Sequence, residues 1–180
     1  MSTRKRDRLL SLLTELSFSK APVKLSSGKV SDFYIDARRT SLHPEGISLI
    51  AEVLWDELSK VDIDAVGGPE SGAIPLAAAV AALSFRKGKP IRAFFVRKEV
   101  KEHGMRRRVE GCLKPGDRVA LIEDVATTGA TALSAIKALE EERCTIAKVI
   151  ALVDRQEGAA ELLKEHGYKL EHIFNRSHFL

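Results

Sequence analysis

The residues best suited to chemistry lie in one run, Val119–Thr131, which reads VALIEDVATTGAT. An apolar strand, Arg118–Ile122, leads into an acidic turn. Glu123 and Asp124 are adjacent carboxylates, and such a pair accepts hydrogen bonds from vicinal sugar hydroxyls or faces a hydrated Mg²⁺. Val125 and Ala126 follow. Thr127, Thr128, Gly129, Ala130 and Thr131 then supply hydroxyls, a flexible glycine and consecutive backbone N–H groups opening onto a helix. A helix N-terminus, with free N–H groups and the positive end of its dipole, is a ready phosphate site. Acids for a sugar beside donors for a phosphate suit a 5-phosphoribosyl group. Taken alone, the same residues also suit an Asp/Thr helix cap after a buried strand. The run is neither a Walker A loop nor a dinucleotide fingerprint.

Four other segments carry related chemistry. Leu25–Arg38, LSSGKVSDFYIDAR, offers the Ser27 hydroxyl, a glycine turn and the aromatic–aliphatic pair Tyr34–Ile35, able to clasp a flat heterocycle. It reads equally as a surface loop before an edge strand. Gly67–Pro75, GGPESGAIP, sets glycines around a strand-to-helix turn, letting backbone N–H groups approach an anion beside Glu70 and Ser71. Such turns also serve packing alone. Arg97, Lys98, Lys101 and His103 form a cationic cluster within the polar segment 97–111. A segment of this kind can close over a polyphosphate and neutralise charge on a departing group. A solvated basic loop, or one touching nucleic acid through Arg106, Arg107 and Arg108, stays open. Val153–Ala159, VDRQEGA, places Arg155 at a strand end, where a guanidinium grips a planar carboxylate bidentately or makes a structural pair with an acid.

Val119–Thr131 resembles the signature of the type I phosphoribosyltransferases: an apolar strand, two acids, an apolar pair and a Thr/Gly-rich loop. Leu25–Arg38 resembles the base-binding region of the orotate phosphoribosyltransferases. The R-K-x-x-K-x-H-G pattern from Arg97 to Gly104 is similar to their mobile catalytic loop, and V-D-R-x-E-G from Val153 to their carboxylate-holding segment. The resemblance spans about residues 25–158. It implies transfer of the phosphoribosyl group from 5-phosphoribosyl 1-pyrophosphate to orotate, giving orotidine 5′-monophosphate and pyrophosphate in pyrimidine biosynthesis.

The roles implied by resemblance are these. Glu123 and Asp124 bind the ribose hydroxyls, and Val125, Ala126 and Thr127–Thr131 line the phosphate, with Glu70 and Ser71 on the pyrophosphate side. Ser27, Tyr34, Ile35, Thr127 and Arg155 hold orotate. Arg97, Lys98, Lys101 and His103 act with Asp124 in catalysis. Mg²⁺ is the implied cofactor, held mainly by substrate oxygens and reached by Asp124 through water. A homodimer is implied, Lys98 reaching the neighbouring site. Two departures stand out: many relatives carry lysine at the position of Ser26, and some carry an aromatic–Lys pair at Glu70–Ser71. A transferase for another base, such as adenine, would not need Arg155. A nucleic-acid-binding sensor of phosphoribosyl pyrophosphate would not need the full basic set.

These groups need a frame. The chain has 180 residues, 44% hydrophobic and 30% charged, enough for one domain with a substantial core. Its net charge of +4 suits anionic ligands and is too small to argue for nucleic acid. Cys112 and Cys144 show no metal-site spacing and read as reduced thiols. Near the N-terminus, Leu9, Leu10, Leu12, Leu13 and Leu16 recur at helical spacing with polar residues between them, unlike a targeting core. No run approaches the ~18 apolar residues that span a bilayer. The expectation is a cytoplasmic protein that binds neither membrane nor nucleic acid.

Apolar runs at Ala65–Gly68, Ile91–Val96, Arg118–Ile122, Ile146–Val153 and Tyr168–Phe174 read as strands. Between them lie helical patterns at Ala73–Phe85, Ala130–Glu142 and Glu157–His166, after an opening helix at Thr3–Leu16 and another from Pro44. Alternation of this kind predicts an α/β fold, a central mostly parallel sheet flanked by helices. The resemblance further implies a small hood, built from residues 1–40 and the C-terminus, over the site, and makes residues 97–111 the mobile catalytic loop. Ligands of such sheets bind beyond the carboxyl ends of the strands.

Overall fold

The computed structural model describes residues 3–20, 23, 24, 30, 31, 33–99 and 108–180. Ser26, Ser27, Lys101, His103, Arg106 and Arg107 therefore lie outside the described residues. Helix α1, Thr3–Leu12, runs into one π-helical turn, Leu13–Ser17. Four two-residue strands follow: β1 (Phe18–Ser19), β2 (Val23–Lys24), β3 (Val30–Ser31) and β4 (Tyr34–Ile35). β1 pairs antiparallel with β4, and β2 with β3. After the single turn α2 (Arg38–Ser41) comes α3 (Pro44–Leu58), with proline in its first turn and the His43 ring accepting from the Gly46 N–H.

The main body then alternates β5 (Ala65–Pro69), α4 (Ala73–Arg86), β6 (Arg92–Val96), β7 (Val109–Gly111), β8 (Arg118–Ala126), α5 (Ala130–Glu141), β9 (Thr145–Asp154), α6 (Ala159–Glu165) and β10 (Leu170–Asn175). A 3₁₀ turn, Arg176–His178, closes the chain. These strands form a six-stranded sheet in the order β10-β9-β8-β5-β6-β7. Every pairing is parallel except that of the edge strand β7 with β6.

Two expectations change. The polar segment does not extend to residue 111, because Val109–Gly111 pairs with Phe94–Val96 as β7. The acidic pair is not in a turn after a short strand. β8 continues through Glu123, Asp124, Val125 and Ala126, since β9 runs alongside to Asp154 and Ala126 pairs with Asp154.

Alternation along β8 sorts the core. Ala120 and Ile122 face α3, α4 and the N-terminal hood, while Val119 and Leu121 face α5 and Leu163 of α6. The Ala-rich α4 lies close on the sheet through Ala73, Leu76, Ala77 and Val80. The hood is pinned by aromatic contacts: Phe18, Phe33 and Phe179 lie with ring centroids 5.1–6.0 Å apart, so both chain ends meet in one cluster. Among the described residues no helix is long and apolar enough to cross a membrane.

The chain leaves β5 by α4 for β6 on one side, and leaves β8 by α5 for β9 on the other. The strand order therefore reverses between the neighbours β5 and β8. A crevice opens at such a reversal, beyond the carboxyl ends of the two strands.

Candidate active site

Pro69 ends β5 with Glu70 and Ser71 next, and Glu123–Ala126 end β8 with Thr127–Thr131 leading into α5, so both predicted segments reach that crevice. Gly67 and Gly68, expected to bring backbone N–H groups to an anion, do something else. They lie inside β5, where a Cβ at Gly67 would meet the Phe94 carbonyl at 2.2 Å and one at Gly68 the Ile122 carbonyl at 1.9 Å. Their lack of side chains serves sheet packing. Gly72 matters to the site: a Cβ there would fall 2.1 Å from an Asp124 carboxylate oxygen. Asp124 lines a cavity of about 220 Å³ with Tyr34, Ile35, Arg38, Glu70, Ser71 and Lys98.

The two acids differ. Glu123 is 7% exposed, and its Oε2 is buried with no hydrogen-bond partner among the described residues. Burial, with the Asp124 charge next door, pushes its carboxyl up to about 8. Burial also raises Asp124, opposed by hydrogen bonds from backbone N–H groups and by the Arg38 charge. Asp36 is held below the usual range by Arg38, which grips it through two nitrogens at 2.7 and 3.0 Å. Asp36 and Arg38 thus belong to the site wall. The Y-I-D-x-R spacing carried that signal, but the sequence reading gave them no role.

Beyond Ala126 the backbone turns. Ala126 accepts from the Arg155 N–H at 2.9 Å, and Thr127 accepts from the Ala159 N–H at 3.1 Å, tying the end of β8 to the turn that carries the chain from β9 into α6. Thr127 therefore lies between Arg155 and the start of α5. Gly129 caps α5 with φ 81°, a left-handed conformation, and no side chain caps the first turn, leaving its N–H groups for a ligand. Thr128, Ala130 and Thr131 are exposed around it.

Arg155 is 5% exposed. Its Nη2 donates to the Phe33 carbonyl at 3.0 Å and meets Glu157 at 2.7 Å, and the guanidinium lies over the Phe33 ring at 5.7 Å. The next hood residues are Tyr34 and Ile35, so the fold brings the predicted base-binding residues to one place, with Ser27 outside the described residues.

Arg97 follows β6. Its Nε meets Glu110 at 3.2 Å, its Nη1 is 3.9 Å from Glu70, and it lies over the Phe95 ring at 5.4 Å. The exposed Lys98 donates its backbone N–H to Glu70 at 3.0 Å. A second cavity, about 270 Å³, lies between Arg97, Lys98 and Arg108 on one side and Ala130, Thr131 and Ser134 of α5 on the other. Ser134 was also missed, although Thr131 and Ser134 at i, i+3 share a helix face. Among the described residues no cluster of three or more metal-ligating side chains occurs. Asp36, Glu70 and Asp124 line the crevice without converging on one point, which fits an ion held mostly by other oxygens, as Mg²⁺ commonly is.

Residues 40–172 match the family model described as phosphoribosyl transferase domain. The orotate phosphoribosyltransferase of Rhodopseudomonas palustris strain TIE-1 is 44% identical over 179 residues, covering 97% of this chain and 96% of that one. The orotate phosphoribosyltransferase of Mycobacterium tuberculosis superimposes with a TM-score of 0.86 at 36% identity, covering 97% and 98% of the two chains. Its complex with 5-phospho-α-D-ribosyl 1-diphosphate gives 0.82 at 33%, with the same coverage. On this identity, over nearly its full length, the chain belongs to the orotate phosphoribosyltransferases of the phosphoribosyltransferase family.

Proposed function

We propose that the chain transfers the phosphoribosyl group of 5-phosphoribosyl 1-pyrophosphate to orotate, giving orotidine 5′-monophosphate and pyrophosphate, with Mg²⁺ as cofactor. The observation that carries this reading is the meeting of β8 and β9 at Thr127. A buried guanidinium on one side suits a planar carboxylate, and an open helix N-terminus on the other suits a phosphate.

A bond forms between a ring nitrogen of orotate and the anomeric carbon, the bond from that carbon to pyrophosphate breaks, and the proton the nitrogen gives up passes to the departing pyrophosphate or to water. The anomeric carbon gains positive charge as the leaving oxygen gains negative charge. Asp124, in contact with the cavity, holds the ribose hydroxyls and favours the positive centre, while Glu123 beside it accepts from a ribose hydroxyl. Arg97 and Lys98, with Lys101 and His103 of the same segment, neutralise the leaving group. Arg155, Tyr34, Ile35 and Ser27 orient orotate so that its nitrogen faces the carbon. Mg²⁺, held mainly by substrate oxygens and reached by Asp124 through water, would supply further neutralisation of the pyrophosphate. With no covalent nucleophile required, catalysis rests on positioning and charge. The reading includes a cytoplasmic homodimer whose Lys98 segment reaches the neighbouring site.

The test follows orotate absorbance. Consumption should require both phosphoribosyl pyrophosphate and Mg²⁺; well-folded protein that consumes none would overturn the proposal. Arg155→Ala should lower kcat/KM for orotate by about 100-fold or more, the scale of a lost charged bidentate contact. Its effect on phosphoribosyl pyrophosphate binding should be small.

A further inference from the structure

Arg108 is a cation that the proposed chemistry leaves unused. It stands where the basic segment returns to the sheet, directly before β7. The Arg97 N–H donates to the Arg108 carbonyl at 2.8 Å, and Arg108 Nη2 lies 3.4 Å from the Arg97 carbonyl it donates to. The same Nη2 donates to Ser134 Oγ at 2.9 Å. Residues 97 and 108 are thus clasped to each other and tied to α5, one turn beyond Thr131.

Arg108 Nε is shielded from solvent and has no hydrogen-bond partner among the described residues. A shielded donor without a partner costs stability, and a methionine would cover the same surface without that cost. Packing alone is therefore a poor reason for the charge. Arg97, Lys98 and Arg108 also face Ala130, Thr131 and Ser134 across one cavity of about 270 Å³.

We propose that Arg108 is a positioning residue of phosphoribosyl transfer, bridging Arg97 and Ser134 so that the start of the basic segment is fixed against the phosphate-binding helix. The inference rests on the function proposed above. Arg108 acts through Arg97 and touches no reacting atom. Its effect is to order Arg97 and Lys98 beside the α5 N-terminus before substrate arrives, which lowers the ordering still needed in the transition state.

The test uses the intact chain with three substitutions. Arg108→Met and Ser134→Ala should each lower kcat by about fivefold or more while KM for orotate stays within about twofold, as for an interaction felt in the transition state. The double variant should be no worse than Arg108→Met, because both remove one bridge. Arg108→Lys, which keeps a charged donor, should recover at least about half of the lost kcat. Amide hydrogen exchange gives a readout independent of turnover: the Arg97 amide should exchange faster in Arg108→Met and Ser134→Ala, with Leu121 and Ile122 unchanged. Wild-type kcat in Ser134→Ala, additive losses in the double variant, or unaltered Arg97 exchange would each overturn the proposal. If the wild-type chain consumes no orotate, the reaction assignment falls, and Arg97 exchange alone decides whether the clasp exists.

Discussion

Glu123 stands in β8 with a shielded carboxylate oxygen, and burial raises its carboxyl to about 8 from an ordinary 4.5. In the unfolded chain it ionises near the ordinary value. Between about pH 5 and 8 the folded chain therefore holds a proton that the unfolded chain has released. Stability from this residue is fully present below that window and is lost as pH rises through it. Urea unfolding across the window should show the wild-type chain losing up to about 1.4 kcal/mol per pH unit more than Glu123→Gln, the slope of one proton. Parallel pH profiles would show that Glu123 is not the source. A sugar hydroxyl donating to the shielded oxygen would supply the missing partner, so the same substitution should weaken phosphoribosyl pyrophosphate binding. The cost in the free protein and the function in the complex share one atom.

Elements decide how such a residue is presented. A methyl at Gly72 meets the tip of the Asp124 side chain, which can rotate away, whereas one at Gly68 meets the Ile122 backbone, which cannot. Gly72→Ala should therefore keep its melting temperature within a few degrees and lose about tenfold or more in phosphoribosyl pyrophosphate affinity. Gly68→Ala should instead lose about 3 kcal/mol of stability, as overpacking does. Calorimetry and ligand titration separate the two, and a reversed pattern would refute the assignment of roles. Much of this was legible beforehand: apolar runs with period-two or helical spacing marked the strands and helices of the sheet, and Arg155 and Thr127–Thr131 fell at strand ends. The length of β8 was not legible, because Glu123 and Asp124 look like the end of a strand unless its neighbour β9 is known to run as far. β7 was hidden in the same way, since Val109–Gly111 is too short and polar to announce a strand until β6 lies beside it. Arg108 and Ser134 share no local pattern, being 26 positions apart.

At the scale of the whole molecule, the proposed homodimer makes a prediction that no single chain can meet. If Lys98 serves the neighbouring site, Lys98→Ala and Arg155→Ala should each be nearly inactive alone. Mixed and allowed to exchange subunits, they should regain about a quarter of wild-type activity, since half of the randomly paired dimers carry one intact site of two. No recovery after verified exchange would mean that each chain uses its own Lys98, which lines the chain's own cavities. The hood joins this scale too: Phe33 both packs on Phe18 and Phe179 and offers its carbonyl to Arg155, so loosening the aromatic cluster should disturb orotate binding from a distance.

The bonds from Arg155 to Ala126 and from Ala159 to Thr127 have one more consequence. They fasten the tip that would grip the acceptor to the tip that would grip the donor, yet the two grips come from different strands. A lineage could therefore rewrite the tip of β9 to accept another heterocycle while inheriting the sugar-phosphate cradle of β8 intact. The seam at Thr127 is where a fold of this kind can change its customer without relearning its trade.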